Sequence, residues 1–236
     1  MYVRFGLYLI PQLSTFYEMG SAIVGYDIRF KQKVNQPKFI HPEWVSVNNQ
    51  FGFHATLTDA ITINEARLPE IINKTKELHA CFKPNNQYIL TKKRIGFWRK
   101  DSDIIVLLMK ANRNIEMLHD VLVTGLHPLG SGSEYFEQYT YNRTSFTPNS
   151  PSALQKLQKF YSPYIFDEFI PHFTLINPYT GPTDKRSIIE QELDQQFKDI
   201  RGITFDTLTL VTQSVGSSHF QIAHEFSLHG DEAASF

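Results

Sequence analysis

The spacing of apolar residues changes period several times along the chain, and each change marks an element. Residues 5–10 form a short apolar run closed by Pro11, which predicts an opening strand. Ser14 suits a helix N-cap, and Phe16, Met19, Ile23 and Val24 then recur at helical spacing. Residues 26–49 contain Pro37 and Pro42 and show no period, which predicts a long surface loop. Residues 51–57 and 61–63 read as strands, followed by a helix capped by Asn64 and running from Glu65 to about Ala80. Residues 88–98 and 104–110 read as a hairpin, because Lys100-Asp101-Ser102-Asp103 between them favours a turn. Ile115, Leu118 and Leu122 place one apolar face on a helix over 112–124. Residues 125–150, rich in Gly, Ser, Tyr and Pro, are the least regular stretch and read as a connection or a lid. A helix with Pro151 in its first turn follows, then a strand over 169–176, a helix from Thr183 to about 197, and strands over 203–211 and 219–226. The order strand, helix, strand, helix, strand, strand is seen in outline in both halves. The fold class is α+β with largely antiparallel sheets.

Two of the strands carry the same short pattern, His54-Ala55-Thr56-Leu57 and His172-Phe173-Thr174-Leu175. On a strand, side chains at i and i+2 leave the same face, so each triplet sets an imidazole beside a hydroxyl. Phe53, Leu57, Phe173 and Leu175 point the other way, toward a core. Two such pairs facing one another bracket a phosphate: one imidazole accepts a proton, the other donates one, and the hydroxyls bind the non-bridging oxygens. With nine histidines in the chain, chance supplies only about 0.3 such matches. His54 and His172 are therefore the candidate catalytic pair, with Thr56 and Thr174 as candidate substrate-binding residues. Zinc is a weaker reading, because Thr is a poor ligand and only Asp59 lies close to either motif, so no metal or other cofactor is expected.

The other histidines, His41, His79, His119, His127, His219, His224 and His229, lack the Thr partner and read as surface or capping residues. Lys92-Lys93-Arg94 with Phe97, Trp98, Arg99 and Lys100 has a composition suited to phosphate and base contact, yet a solvated hairpin with its aromatics in the core is the better reading. Tyr135, Tyr139, Tyr141 and Arg143 line the cleft only if residues 125–150 fold over it.

Composition adds boundaries. A chain of 236 residues with 42% apolar content can bury a sizeable core as one large domain or two small lobes. A net charge of −1 gives no overall field for nucleic acid or an anionic membrane, so any polyanion must be held by a local patch, and a compact phosphorylated substrate stays open. Lone Cys81, no signal-peptide pattern and no run of transmembrane length suggest a cytoplasmic protein without an evident protein partner.

On these residues the chain resembles the 2H phosphoesterase superfamily, named for two His-x-Thr/Ser motifs on opposed strands of a bilobal, pseudo-twofold α+β fold. The resemblance implies one bilobal domain over residues 1–236, with two largely antiparallel sheets flanking a cleft and helices outside. Gly96-Phe97-Trp98 and Ile104-Ile105-Val106-Leu107-Leu108 look like the strand pair that follows the superfamily's first motif and helix. Gly20-Ser21-Ala22-Ile23-Val24-Gly25-Tyr26-Asp27 and Phe51-Gly52-Phe53-His54-Ala55-Thr56-Leu57 are similar to segments of one branch, the domain of unknown function 1045 proteins, often labelled as phosphonate-metabolism proteins. The likeness runs over residues 5–110 and around the second motif, and is poor over 125–150. That branch commonly carries Lys directly after its first motif, where this chain has Thr58-Asp59. The implied activity is metal-independent hydrolysis or opening of a 2′,3′-cyclic or 2′-linked ribose phosphate, with His54 and His172 as acid and base. The alternative is a binding module for a phosphorylated ligand that has lost turnover.

Overall fold

The computed structural model describes residues 1–82, 86–98, 102–141 and 148–229. Its strands are β1 (Tyr2–Leu9), β2 (Tyr26–Asp27), β3 (Gln32–Lys33), β4 (Ala55–Asn64), β5 (Tyr88–Phe97), β6 (Ile105–Ala111), β7 (Gly132–Ser133), β8 (His172–Ile176), β9 (Gly202–Phe205), β10 (Thr207–Ser214) and β11 (Gln221–Ser227). The α-helices are α1 (Thr15–Val24), α2 (Leu68–His79), α3 (Arg113–Leu126), α4 (Glu134–Tyr141), α5 (Pro151–Phe160) and α6 (Arg186–Gln196). Short polar side chains start several of them. Ser14, Asn112 and Ser150 accept from the backbone N–H three residues on, and Gly25 ends α1 in the left-handed region.

The strands form one antiparallel sheet in the order β11-β10-β1-β4-β8-β6-β5-β9, with β7 against β4 and β2–β3 apart. Two four-stranded groups meet at the motif strands, joined by a single ladder pair, Ala55 with Phe173. The two sheets expected from the sequence are thus continuous, and the lobes are not the two halves of the chain. β1 and β4 are completed by the C-terminal β10 and β11, while β5, β6, β8 and β9 form the other group.

Residues 203–211, expected as one strand, break at Asp206 into β9 and β10, which lie six places apart in the sheet order. In a flat sheet that separation is roughly 29 Å at about 4.8 Å per strand, far beyond the reach of one connecting residue. The sheet must therefore curl until its ends approach. Asp206 holds the corner, accepting from Gln12 Nε2 at 2.6 Å and pairing with His229 Nε2 at 2.7 Å.

The core lies on one face of the sheet. Phe5, Leu7, Leu9, Phe53, Leu57, Phe173 and Leu175 are sealed, and Phe16 of α1 meets Phe53, Phe173 and Phe197 edge-on at 5.1–5.6 Å. Gly20 permits that approach, since a Cβ there would lie 2.2 Å from the Phe53 ring. The segment 26–49 departs from the surface loop expected of it: Ile28, Ile40, Trp44, Val45 and Asn48 are buried. Its polar spacing hides a lining function, with backbone hydrogen bonds from Val47 N to Asn177 O and from Asn177 N to Trp44 O. Residues 125–150 are also more ordered than expected, containing β7 and α4, whereas 142–147 lie outside the described residues.

Candidate active site

The antiparallel pairing of Ala55 with Phe173 sets His54 opposite Thr174 and Thr56 opposite His172, all four on the face away from the core. Beneath them Phe53 and Phe173 stack at 4.7 Å, so the apolar partners hold the register on which the polar ones depend. Same-face diagonal neighbours in such a ladder are roughly 7–8 Å apart, a spacing that applies to the backbones of His54 and His172.

Local turns aim each ring. Gly52 adopts φ +69°, open to glycine at little cost, and a Cβ there would meet Ile28 at 2.7 Å. The Gly52 carbonyl then lies 2.9 Å from His54 Nδ1. A carbonyl only accepts, so Nδ1 carries the proton and Nε2 is the acceptor of the neutral ring. Thr56 Oγ1, 3.1 Å from Nε2, donates to it. The second motif repeats the device: His172 Nδ1–H donates to Ile170 O at 2.8 Å, and Nε2 meets no protein partner among the described residues. Asn48 steadies this strand from behind, donating to Thr174 O and Leu175 O at 3.2 and 3.3 Å.

Each imidazole also lies against an aromatic ring. Tyr8 of β1 stacks on His54 at 3.7 Å and 12°, and Trp98, just past β5, meets His172 at 4.5 Å and 43°. Burial pushes the His54 pKa down to about 4, with a smaller contribution from the nearby charge of His172. Burial lowers His172 as well. Both rings are therefore neutral near pH 7, and each disfavours protonation of the other, so the pair holds one proton more readily than two.

Asp59 does not enter the cleft as a free anion. It accepts a hydrogen bond from Ser162, and burial raises its pKa. No sequence motif marks Tyr8; its one signal is its even spacing with Arg4 on the polar face of an otherwise apolar strand. In the basic hairpin the expectation of a solvated face stands in part: Lys92 pairs with Asp194 at 2.8 Å and Phe97 is buried, but Trp98 reaches His172. Arg99, Lys100 and Arg143 lie outside the described residues. Tyr135 comes near Asp59, packing on Tyr164 at 5.4 Å, while Tyr141 is exposed.

Two histidines correct the surface expectation. His119 is buried, its Nδ1 donating to Leu57 O at 2.6 Å and its Nε2 accepting from Phe166 N at 3.0 Å, and His127 is sealed with Nδ1 donating to Phe160 O at 2.6 Å. The helical spacing of His119 from Ile115 and Leu122 carried that information. Among the described residues no group of three or more His, Cys, Asp or Glu converges as a metal site requires. No helix among them is long and apolar enough to cross a membrane.

A family model described as "Protein of unknown function (DUF1045)" matches residues 99–221, more than half of the 236 residues. The chain belongs to the DUF1045 family. The DUF1045 match includes His172 and Thr174 and runs through 125–150, where the sequence reading finds little likeness. It leaves out residues 1–98, which carry the first motif and the Gly20–Asp27 segment. No curated protein matches the chain. Among solved structures, a crystal structure of E. coli LigT complexed with ATP is similar at 14% identity, covering 97% of this chain and 99% of that one, with a TM-score of 0.49. E. coli LigT complexed with 3′-AMP is similar at 14% identity, 98% and 100% coverage and a TM-score of 0.49. TT0787 of Thermus thermophilus is similar at 13% identity, 97% and 99% coverage and a TM-score of 0.47.

Proposed function

We propose that this DUF1045 protein is a metal-independent 2H-type phosphodiesterase that acts on a cyclic or 2′-linked ribose phosphate, in a small nucleotide or sugar or at an RNA end, in a reducing cytoplasm. The observation that carries the reading is the shared face: the pairing of Ala55 with Phe173 brings both imidazoles and both hydroxyls together, each ring with Nδ1 tied to a carbonyl. One Nε2 takes a proton from water or a ribose hydroxyl as it attacks phosphorus. The other, protonated when the substrate anion raises its pKa, gives a proton to the leaving oxygen. Thr174 donates to a non-bridging oxygen as charge grows on it, and Thr56 does the same once its hydroxyl turns from His54 Nε2 to the substrate. Replacing His54 or His172 by Ala is expected to lower turnover of a 2′,3′-cyclic nucleotide at least a hundredfold, with the melting temperature retained and no effect of EDTA. Retained activity in either variant defeats the proposal.

A second reading rests on Thr58-Asp59, which follow the first motif where the branch commonly carries a cation, with Asp59 held by Ser162. Without that cation the cleft serves as a sensor of a phosphorylated ligand. Thermal stabilisation by cyclic nucleotides with no product in mass spectra after long incubation supports this reading, and detectable product removes it.

A further inference from the structure

Tyr8 belongs to the buried core, with the Phe220 ring 6.1 Å away, and it also lies flat against the His54 imidazole at 3.7 Å. On β1 it alternates with Leu7 and Leu9, which face the core, and the ladder sets it directly opposite Thr56. It is only 3% exposed, yet its hydroxyl makes no hydrogen bond among the described residues. Among the described residues, the polar side-chain atoms that are both sealed from solvent and orphaned are Arg4 Nε, Ser21 Oγ, Arg29 Nε, Asn48 Oδ1 and His127 Nε2. Tyr8 Oη is not among them, so the residual exposure includes its hydroxyl, on the face shared with His54 and Thr56.

We propose that Tyr8 is a substrate-contacting residue of the two-histidine cleft. Its ring is the plate on which the His54 imidazole lies, and its hydroxyl donates a hydrogen bond to the phosphoester oxygen on the His54 side. This rests on the phosphodiesterase reading above and adds to it a third hydroxyl donor that the motif pattern does not contain.

The stack supports the first role. Rings 3.7 Å apart and 12° from parallel leave His54 no freedom to tilt, while Gly52 O and Thr56 Oγ1 fix its rotation in plane. The hydroxyl is carried on that same ring, within a side-chain length of Nε2. Burial, outweighing the opposing field of Arg4 and reinforced by Asp59, keeps the phenol protonated throughout the working range. It can therefore only donate to an anionic oxygen, never repel it. The second motif has no counterpart: His172 leans on the indole of Trp98 at 43°, so the additional hydroxyl makes the two sides of the cleft unequal.

The test compares Tyr8→Phe, Tyr8→Leu and His54→Ala on 2′,3′-cyclic AMP, with binding of adenosine 2′-monophosphate followed by calorimetry. Tyr8→Phe keeps the plate and removes the donor. It is expected to retain the wild-type melting temperature and the pH at which kcat/KM is half-maximal, while lowering kcat/KM about ten- to a hundredfold and weakening nucleotide binding. Tyr8→Leu removes the plate too, and is expected to shift the acid limb of the kcat/KM profile as well. A Tyr8→Phe enzyme with unchanged kcat/KM and unchanged nucleotide affinity overturns the proposal, and if His54→Ala is then inactive the two-histidine reading survives it. Full activity in His54→Ala overturns that reading instead. A wild-type protein that neither turns over the cyclic nucleotide nor binds its product overturns both.

Discussion

A neutral imidazole whose Nδ1–H is engaged by a carbonyl has one lone pair left, and in both motifs that lone pair belongs to Nε2 on the cleft face. The two rings thus share a tautomer, and in the proposed mechanism the roles of base and acid are set by where the single proton resides. Both pKa values lie below the ordinary imidazole value, His54 at about 4 and His172 lowered by burial. For kcat/KM, which reports the free enzyme, the base must be neutral and the acid protonated. The profile is therefore a bell with both limbs below about pH 6.5, whichever histidine plays which part. An optimum above pH 7 in kcat/KM contradicts this assignment of the two limbs. The sequence made the pair of residues legible through parity alone. It carried no trace of the Nδ1 partners, because these are backbone carbonyls in turns and not side chains.

At the scale of elements, glycine and amide side chains decide where the motif strands sit. Gly20 lets α1 lie on Phe53, directly behind His54. Gly20→Ala drives a methyl into a ring already packed against Phe16 and Phe173, which should destabilise the protein by about 1–3 kcal/mol in urea denaturation. A Gly20→Ala variant as stable as wild type shows that α1 can slide. Asn48 fastens the second motif through two carbonyls. Asn48→Ala leaves them unmet, an expected loss of about 1–3 kcal/mol together with reduced turnover as His172 loosens. Turnover equal to wild type detaches this segment from the site. The helices α1, α3 and α5 were readable from capping residues and apolar spacing, since both signals are local. The buried role of 26–49 was not, because an irregular segment lining a core shows no period.

Over the whole molecule, three histidines share one physical condition: His54, His119 and His127 are all pushed by burial down to about 4. In the unfolded chain each returns to about 6.5, so between pH 6.5 and 4 the unfolded state binds more protons than the native one. Stability is therefore complete near neutrality and falls as pH drops through that window, by up to about 1.4 kcal/mol per pH unit for each histidine. Urea midpoints measured across the window should fall toward acid, and a flat dependence rejects the buried neutral state of these rings. His119 also ties the first motif strand to the segment that leads into the second, between Leu57 O and Phe166 N, so acid unfolding and loss of the site are expected to coincide. By itself the sequence determined the α+β elements, the parity that put His54, Thr56, His172 and Thr174 on polar faces, and the apolar residues opposite them. Only the tertiary structure decided that β4 and β8 are neighbours, that the C-terminal strands complete the first lobe, and that Tyr8 and Trp98 lie against the two imidazoles while Asn48 holds the second motif strand. The reason is physical: periodicity records which face of a strand meets the core, whereas which strand lies alongside depends on matched surfaces far apart in the chain, such as the stacked rings of Phe53 and Phe173.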